Sequence, residues 1–342
     1  MSAGDRPALS IAIPTKNGAA RLPDTLRSIA SQELAAAVEV VIVDDGSTDQ
    51  GGAVAERFPL PWGPARVVRH PVSRGRAAAC NTAVEAARSE VVVLLDDDMT
   101  LHPGALEAHR AFHAENPRSA ARARVRLAAA ERETCFSRFL AREEAMQERT
   151  LLARRDDVPF PLGQTGHLSI RKDVLLEVGG FDTTIKRYGF EDIELGYRLG
   201  QHGVKIVYLP AAASTHRAYV TDLDRYLARH QEAGIVARQL ADRHPRGPLR
   251  DYLRVDPPVR LGVGEDPAGL VLLRISTRLL LWRPLRRALG SRPGKALLQG
   301  VLRVGEALRL ERAVHFGYHV ARDVRYFEGY FDDPMPGGAP RE

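Results

Sequence analysis

Three polar groups stand directly after apolar runs in this chain: Pro14-Thr15-Lys16-Asn17, Asp44-Asp45-Gly46-Ser47-Thr48-Asp49 and Asp96-Asp97-Asp98. Adjacent carboxylates repel one another. A divalent cation relieves that repulsion, and magnesium takes one or two carboxylates together with substrate phosphate oxygens. Asp96–Asp98 therefore reads either as a metal-binding cluster or as a solvated acidic loop that caps a helix starting near Pro103. Ser47, Thr48 and Asp49 are ordinary turn and cap formers. Asp44 and Asp45 fit that reading less well. A fourth group is Gly179-Gly180-Phe181-Asp182 followed by Gly189-Phe190-Glu191-Asp192. Glu191 and Asp192 open a helical pattern, where the helix dipole favours acids. They read either as that first turn or as a general base at the mouth of a site.

The elements that must position these residues alternate in type. Leu9–Pro14, Val38–Val43, Ala65–Val68 and Glu90–Leu95 read as strands, with helices over Leu22–Gln32 and Arg76–Arg88. This rhythm predicts an α/β fold with a mainly parallel, Rossmann-like central sheet built from βαβ units. Ligands bind such sheets outside the carboxyl ends of the strands, which is where the first three polar groups fall. Ala105–Arg155 is expected to be mostly helical, with a short strand at Arg122–Leu127. A strand at Gly166–Ile170, a helix at Lys172–Val178, a helix at Glu191–Gln201 closed by Gly203, and a strand at Val204–Leu209 follow. The alternation then stops. The expected organisation is a catalytic domain over residues 1–218, a helical C-terminal region over 219–330 and a disordered tail over 331–342.

Five segments, LSIAIPTKN, VEVVIVDDGSTD, VVVLLDDDM, SIRKDVLLEVGGFD and FEDIELGYRL, occur in the order and spacing of the family 2 glycosyltransferases, which the chain resembles from Leu9 to His216. The resemblance implies the A-type nucleotide-diphospho-sugar transferase fold and an inverting, hexosyltransferase-like, metal-dependent transfer to a hydroxyl acceptor. It implies that Pro14, Thr15 and Asp45 hold the nucleoside, with Asn17 and Asp97 beside them. Asp96 and Asp98 match the outer acids of the family's DXD motif, Asp98 as ligand to Mg2+ or Mn2+ and Asp96 at the ribose or a metal-bound water. Asp192 matches the catalytic base, Glu191 supports the acceptor, and His216 falls where a second metal ligand is found. The chain departs from the pattern at Arg74, where Asn is usual, and at Cys80, where Arg is usual. Arg74 or Arg76 is thus expected to take over a phosphate contact. His167 stands where Asn is common beside the sugar, a change expected to bear on donor choice.

The 342 residues carry 44% hydrophobic and 27% charged residues, a globular mixture with a formal charge of +6. A basic balance suits anionic partners, but a nucleic-acid binder leaves the strand-end acids unexplained, so no nucleic-acid partner is expected. A dinucleotide-dependent oxidoreductase would carry GxGxxG where PTKNG stands. A sugar-phosphate nucleotidyltransferase shares the acids and the metal but calls for a glycine-rich, Lys/Arg-bearing signature early in the chain. Two cysteines without a CxxC pair, and an opening without a basic leader or long apolar run, are expected of a cytoplasmic protein. The expected acceptor is a saccharide, a lipid carrier or a natural product. Residues 271–303 hold seven arginines, one lysine and no acid. They read either as packed helices with solvated arginines or as an element that docks the acceptor or makes a peripheral contact with the inner face of a membrane.

Overall fold

The computed structural model describes residues 6–129, 133–217, 222–255, 279–280 and 283–332. They fall into two compact units. One comprises residues 1–128, 151–186 and 191–219, the other residues 129–150, 187–190 and 220–342. Residues 129–150 and 187–190, expected within the catalytic segment, thus cluster with the C-terminal helices.

The first unit is organised by an eight-stranded sheet. Its elements run β1 (Leu9–Thr15), α1 (Leu22–Ala30), β2 (Val38–Asp45), α2 (Gly51–Arg57), β3 (Arg66–His70), α3 (Arg76–Ala86), β4 (Val91–Leu95), β5 (Met99–Leu101), α4 (Ala105–Glu115) and β6 (Ala120–Leu127). After α5 (Cys135–Ala153) come β7 (His167–Arg171), α6 (Lys172–Glu177), α7 (Glu191–Gln201) and β8 (Ile206–His216). The strand order is β3-β2-β1-β4-β7-β6-β8-β5. The β3-β2-β1-β4 part is parallel. β1, β2 and β4 are buried along nearly their whole length, as expected of strands covered on both faces, while β3 is buried only at its end, His70. The β6-β8 pairing is parallel as well, while β7 runs antiparallel to β4 and β6, and β5 antiparallel to β8, so the sheet is mainly parallel, as expected, but not purely so. Residue periodicity marks a strand but carries no sign of its direction, so the three antiparallel pairings were not legible from it.

The helices bury the faces their sequences present. α1 turns Leu22, Leu26 and Ile29 inward. α3 buries an alanine-rich face that includes Ala77, Ala78, Ala79 and Ala83. Between them β7, β8 and α4 enclose a chain of buried polar groups. Ser214 Oγ lies 2.9 Å from His167 Nδ1, His167 Nε2 lies 3.0 Å from His109 Nε2, and Ser169 Oγ lies 2.7 Å from both His109 Nδ1 and His113 Nε2. Burial holds all three imidazoles neutral, pushing His109 down to about 3, His113 to about 4 and His167 well below its usual value. His167 is fully buried in this chain, so its ring does not line a donor-sugar site as expected.

The second unit is helical: most of α5, then α8 (Leu223–Arg243), α9 (Pro248–Val255), α10 (Arg283–Gly290), α11 (Arg292–Ala307) and α12 (Glu311–Phe327). Phe136, Phe139, Tyr226 and Tyr318 form its aromatic centre. No described helix is long and apolar enough to cross a membrane. Residues 271–278, 281–282 and the tail from 333 onward lie outside the described residues.

Candidate active site

The strand-end loops are laced together by short polar side chains. Asn17, in the left-handed region at φ 52°, accepts at Oδ1 from the Thr48 amide (2.8 Å), and its own amide donates to Ser47 Oγ (2.9 Å). Asn adopts this conformation more readily than most residues. The Ala19 amide donates to Asp49 Oδ2. The loops after β1 and β2 are therefore one cross-linked structure. Pro14, near the end of β1, is half-buried, and Lys16, in the loop that follows, is exposed.

Asp45 and Asp97 are engaged inside the fold. The strand register sets Asp45 opposite His70. His70 Nδ1 lies 2.6 Å from Asp45 Oδ1, and Ser73 Oγ (2.6 Å) and the amides of Arg74 (2.8 Å) and Gly75 (2.9 Å) donate to the same carboxylate. Burial works to raise the Asp45 proton affinity, but these donors hold it below the usual carboxylate value. Asp45 thus ties down the loop that leads into α3, and the Arg74 side chain at that loop is exposed. Asp97 accepts from Thr15 Oγ1 (2.6 Å) and from Arg21 Nε (3.1 Å) and Nη2 (2.8 Å). Its proton affinity is raised by burial, against the pull of Arg21 and Thr15. A Cβ at Gly18 would fall 2.6 Å from Asp97 Oδ2, so only glycine fits there.

Asp96, Asp98, Glu191 and Asp192 are held differently. Arg76, in the first turn of α3, reaches Asp96 Oδ1 with Nη1 (2.7 Å) and Glu191 Oε1 with Nε (2.9 Å), while Nη2 approaches Thr165 Oγ1 at 3.3 Å. One guanidinium therefore joins the strand-end acids to the start of α7. Asp192 beside it accepts from the Ile193 amide at 2.8 Å. Burial, then the Glu191 charge, push Asp192 up to about 7, with Arg76 opposing. The turn into α7 is conformationally costly: Gly189 has φ 101° and Phe190 φ 66°. A non-glycine residue in that region costs roughly 1–3 kcal/mol, and such strain gathers at functional sites.

At the end of β4, Asp98 Oδ2 lies 3.1 Å from His216 Nε2. Burial works to raise Asp98, but His216 and Arg21 hold it below its usual value. Asp98 Oδ1 is buried without a hydrogen-bond partner, which suits a hard cation as acceptor. Among the described residues no three His, Cys, Asp or Glu side chains gather in metal-binding geometry.

Sequence reasoning missed His70, Arg21, Phe190 and Thr165. His70 was within reach, because β3 runs two residues past Val68 and ends on it. Asn81, kept from the family pattern, brackets the Gly-Gly turn: its Oδ1 accepts from the Phe181 amide (2.8 Å) and its Nδ2 donates to the Phe181 carbonyl (2.9 Å). A Cβ at Gly180 would lie 2.7 Å from that Oδ1.

The glycosyl transferase family 2 model matches residues 10–179, and the model described as the N-terminal domain of galactosyltransferase matches residues 157–222. A pre-mycofactocin glycosyltransferase of Mycobacterium tuberculosis is 30% identical over 242 residues, covering 69% of this chain and 48% of its own length. A validoxylamine A glucosyltransferase of Streptomyces hygroscopicus is 28% identical over 262 residues, covering 66% of this chain and 61% of its own length. The chain thus spans about half to three-fifths of these relatives. In fold it is similar to a mannosyltransferase from Pyrobaculum calidifontis in complex with GDP-Man and Mn2+, with a TM-score of 0.60 at 19% identity over 96% of this chain and 88% of that one.

Proposed function

The chain belongs to glycosyl transferase family 2, and on that premise we propose that it moves a sugar from a nucleotide-diphosphate donor to a hydroxyl acceptor by single displacement with inversion, Asp192 acting as general base. The observation that carries this reading is the α7 N-terminus. There a carboxylate with few donors and a proton affinity near neutrality stands beside a guanidinium that reaches the strand-end acids.

Each group has a task that follows from its surroundings. The acceptor oxygen attacks the anomeric carbon as the bond from that carbon to the diphosphate oxygen breaks. The hydroxyl proton passes to Asp192. A base is most effective when its proton affinity lies near the working pH. Glu191, held by Arg76, orients the acceptor. Asp96 and the loops after β1 and β2 receive the nucleoside and ribose, with Pro14, Thr15 and Asn17 as the wall. Asp45 and Asp97 act as positioning residues, because their carboxylates are engaged by protein donors. Arg74 and Arg76 lie where they can meet phosphate oxygens. Asp98 and His216 would hold Mg2+ or Mn2+, which would offset the charge developing on the departing diphosphate.

The test is product analysis with a panel of nucleotide sugars and simple glycosides, with Mg2+ or Mn2+ present. Release of nucleoside diphosphate together with a glycosylated acceptor of inverted anomeric configuration supports the reading. Release of inorganic diphosphate in a parallel assay supplied with nucleoside triphosphates and sugar 1-phosphates would instead mark a sugar-phosphate nucleotidyltransferase, and a retained configuration would remove the single displacement.

A further inference from the structure

The charge of the chain is concentrated in one stretch. Residues 283–312 contain eight Arg or Lys and two Glu, a net of +6, equal to the charge of the whole protein. The remainder of the chain is neutral on balance.

The same stretch carries an exposed apolar helix face. On α11, Leu297, Val301 and Val304 are 66%, 59% and 59% exposed, and Leu308 just past its end is 64% exposed. Their spacing, i, i+4, i+7 and i+11, sets them in one row. Pro293, Ala296, Gly300 and Ala307 are also exposed and fill the adjoining row. The opposite side of the helix is already occupied. Leu302 and Gly305 are buried, and a Cβ at Gly305 or Gly317 would lie 2.7 Å from Val314 or Leu302, so α11 meets α12 by that face. Which side faces outward is therefore fixed by packing. Exposed aliphatic rows of this length on a soluble unit mark an interaction surface.

We infer that α11 is a docking element for an anionic lipid surface. Arg292, Arg303, Arg309 and Arg312 are exposed around the apolar row. A helix with an aliphatic face and a cationic margin lies in the interface of an anionic bilayer, its apolar side among the acyl chains and its cations among the head groups. A second copy of the chain is a poorer occupant, since it would bring another +6 against the first. Nucleic acid would meet the cations but leave the aliphatic row in water. At 16 residues α11 is too short to span, so the contact is peripheral.

Sedimentation with vesicles tests this directly, using phosphatidylglycerol mixed into phosphatidylcholine against phosphatidylcholine alone. The protein should pellet with the anionic vesicles and remain in the supernatant with the neutral ones. Raising the salt to about 1 M, where the screening length is about 3 Å, should release it. Two variants separate the contributions: Leu297→Gln with Leu308→Gln, and Arg292→Gln with Arg303→Gln and Arg309→Gln. Each should lower the bound fraction about tenfold or more with an unchanged circular dichroism spectrum. All these residues are exposed, and Val304→Thr serves as a milder variant should the double change fail to fold. Equal binding to neutral vesicles, or wild-type binding by both variants, overturns the inference. So does a dimer that the leucine changes dissociate while no vesicle binding is seen.

Discussion

Asp45, at the end of β2, and Asp192, in the first turn of α7, belong to the same compact unit, yet they treat a proton in opposite ways. Burial raises both. At Asp45 four donors from His70, Ser73, Arg74 and Gly75 more than offset it, and the carboxyl is held below its usual value. At Asp192 the donors are two backbone amides, its own and that of Ile193, Glu191 adds a like charge, and the group rises to about 7. The number of donors thus separates two roles. A carboxylate ringed by donors is a fixed anchor for a loop. One left under-solvated beside a like charge keeps the basicity that proton transfer needs.

The sharpest way to break this contrast is Asp192→Asn. The amide keeps the shape and removes the proton acceptor, and general-base assistance is worth about two to four orders of magnitude in rate. Turnover should fall by that factor, with donor affinity nearly unchanged and the melting temperature not lowered. Normal turnover would move the base to Glu191 or Asp182. Next in size is the metal-side pair. Asp98→Asn, or excess chelator on the wild type, should lower turnover roughly a hundredfold or more. The same change should abolish the extra thermal stabilisation that nucleotide sugar gains from Mn2+. Full activity in chelator removes the cation from the site.

Arg76→Gln should have a smaller and more diagnostic effect. Arg76 opposes the rise of Asp192, so its loss lets Asp192 climb further. The acid limb of the rate profile should move to higher pH, and donor KM should rise about tenfold, the scale of one charge-assisted hydrogen bond. An unshifted limb with a raised KM would confine Arg76 to phosphate binding.

Much of the rim was legible from residue order alone, because a parallel strand exposes its last residue at the ligand edge whatever follows it. Pro14, Asp45 and Asp96 were placed by that rule. What could not be read is which acids face outward. Asp97 sits between Asp96 and Asp98 in sequence, but Thr15 and Arg21 engage it inside the fold, and Arg21 lies 76 positions away. Such long-range partners leave no local trace. His167 shows the same limit: the strand pairing sets it opposite Leu95, just before Asp96, but its ring turns to His109 and Ser214 in the interior. The antiparallel pairings escaped for a different reason, since β7 reads as a strand like any other and only the path of the chain sets it antiparallel to β4 and β6.

The finest test of the contrast is stability against pH. Asp45→Asn leaves His70 and Ser73 with a weaker, neutral acceptor and the buried site less well satisfied, which costs about 1–3 kcal/mol. A folded carboxyl held below its unfolded value of 3.8 contributes stability that is present above that pH and lost as pH falls through the folded value. The deficit of Asp45→Asn should therefore be full at pH 7 and shrink in acid below about pH 4. Asp192 has the opposite sign. A folded carboxyl raised to about 7 binds its proton more tightly than the unfolded chain does, so wild-type stability falls as pH rises from 3.8 to 7. Asp192→Asn escapes that loss, and its melting temperature should exceed that of the wild type at pH 7 and converge with it near pH 4. One variant loses stability at neutral pH and the other gains it, and both differences close in acid. Thermal melts of the three proteins at pH 3, 4, 5.5 and 7 read this out directly. If both variants melt below the wild type by the same amount at every pH, the two carboxylates are structural alike, and Asp192 keeps no reserve of basicity for the acceptor's proton.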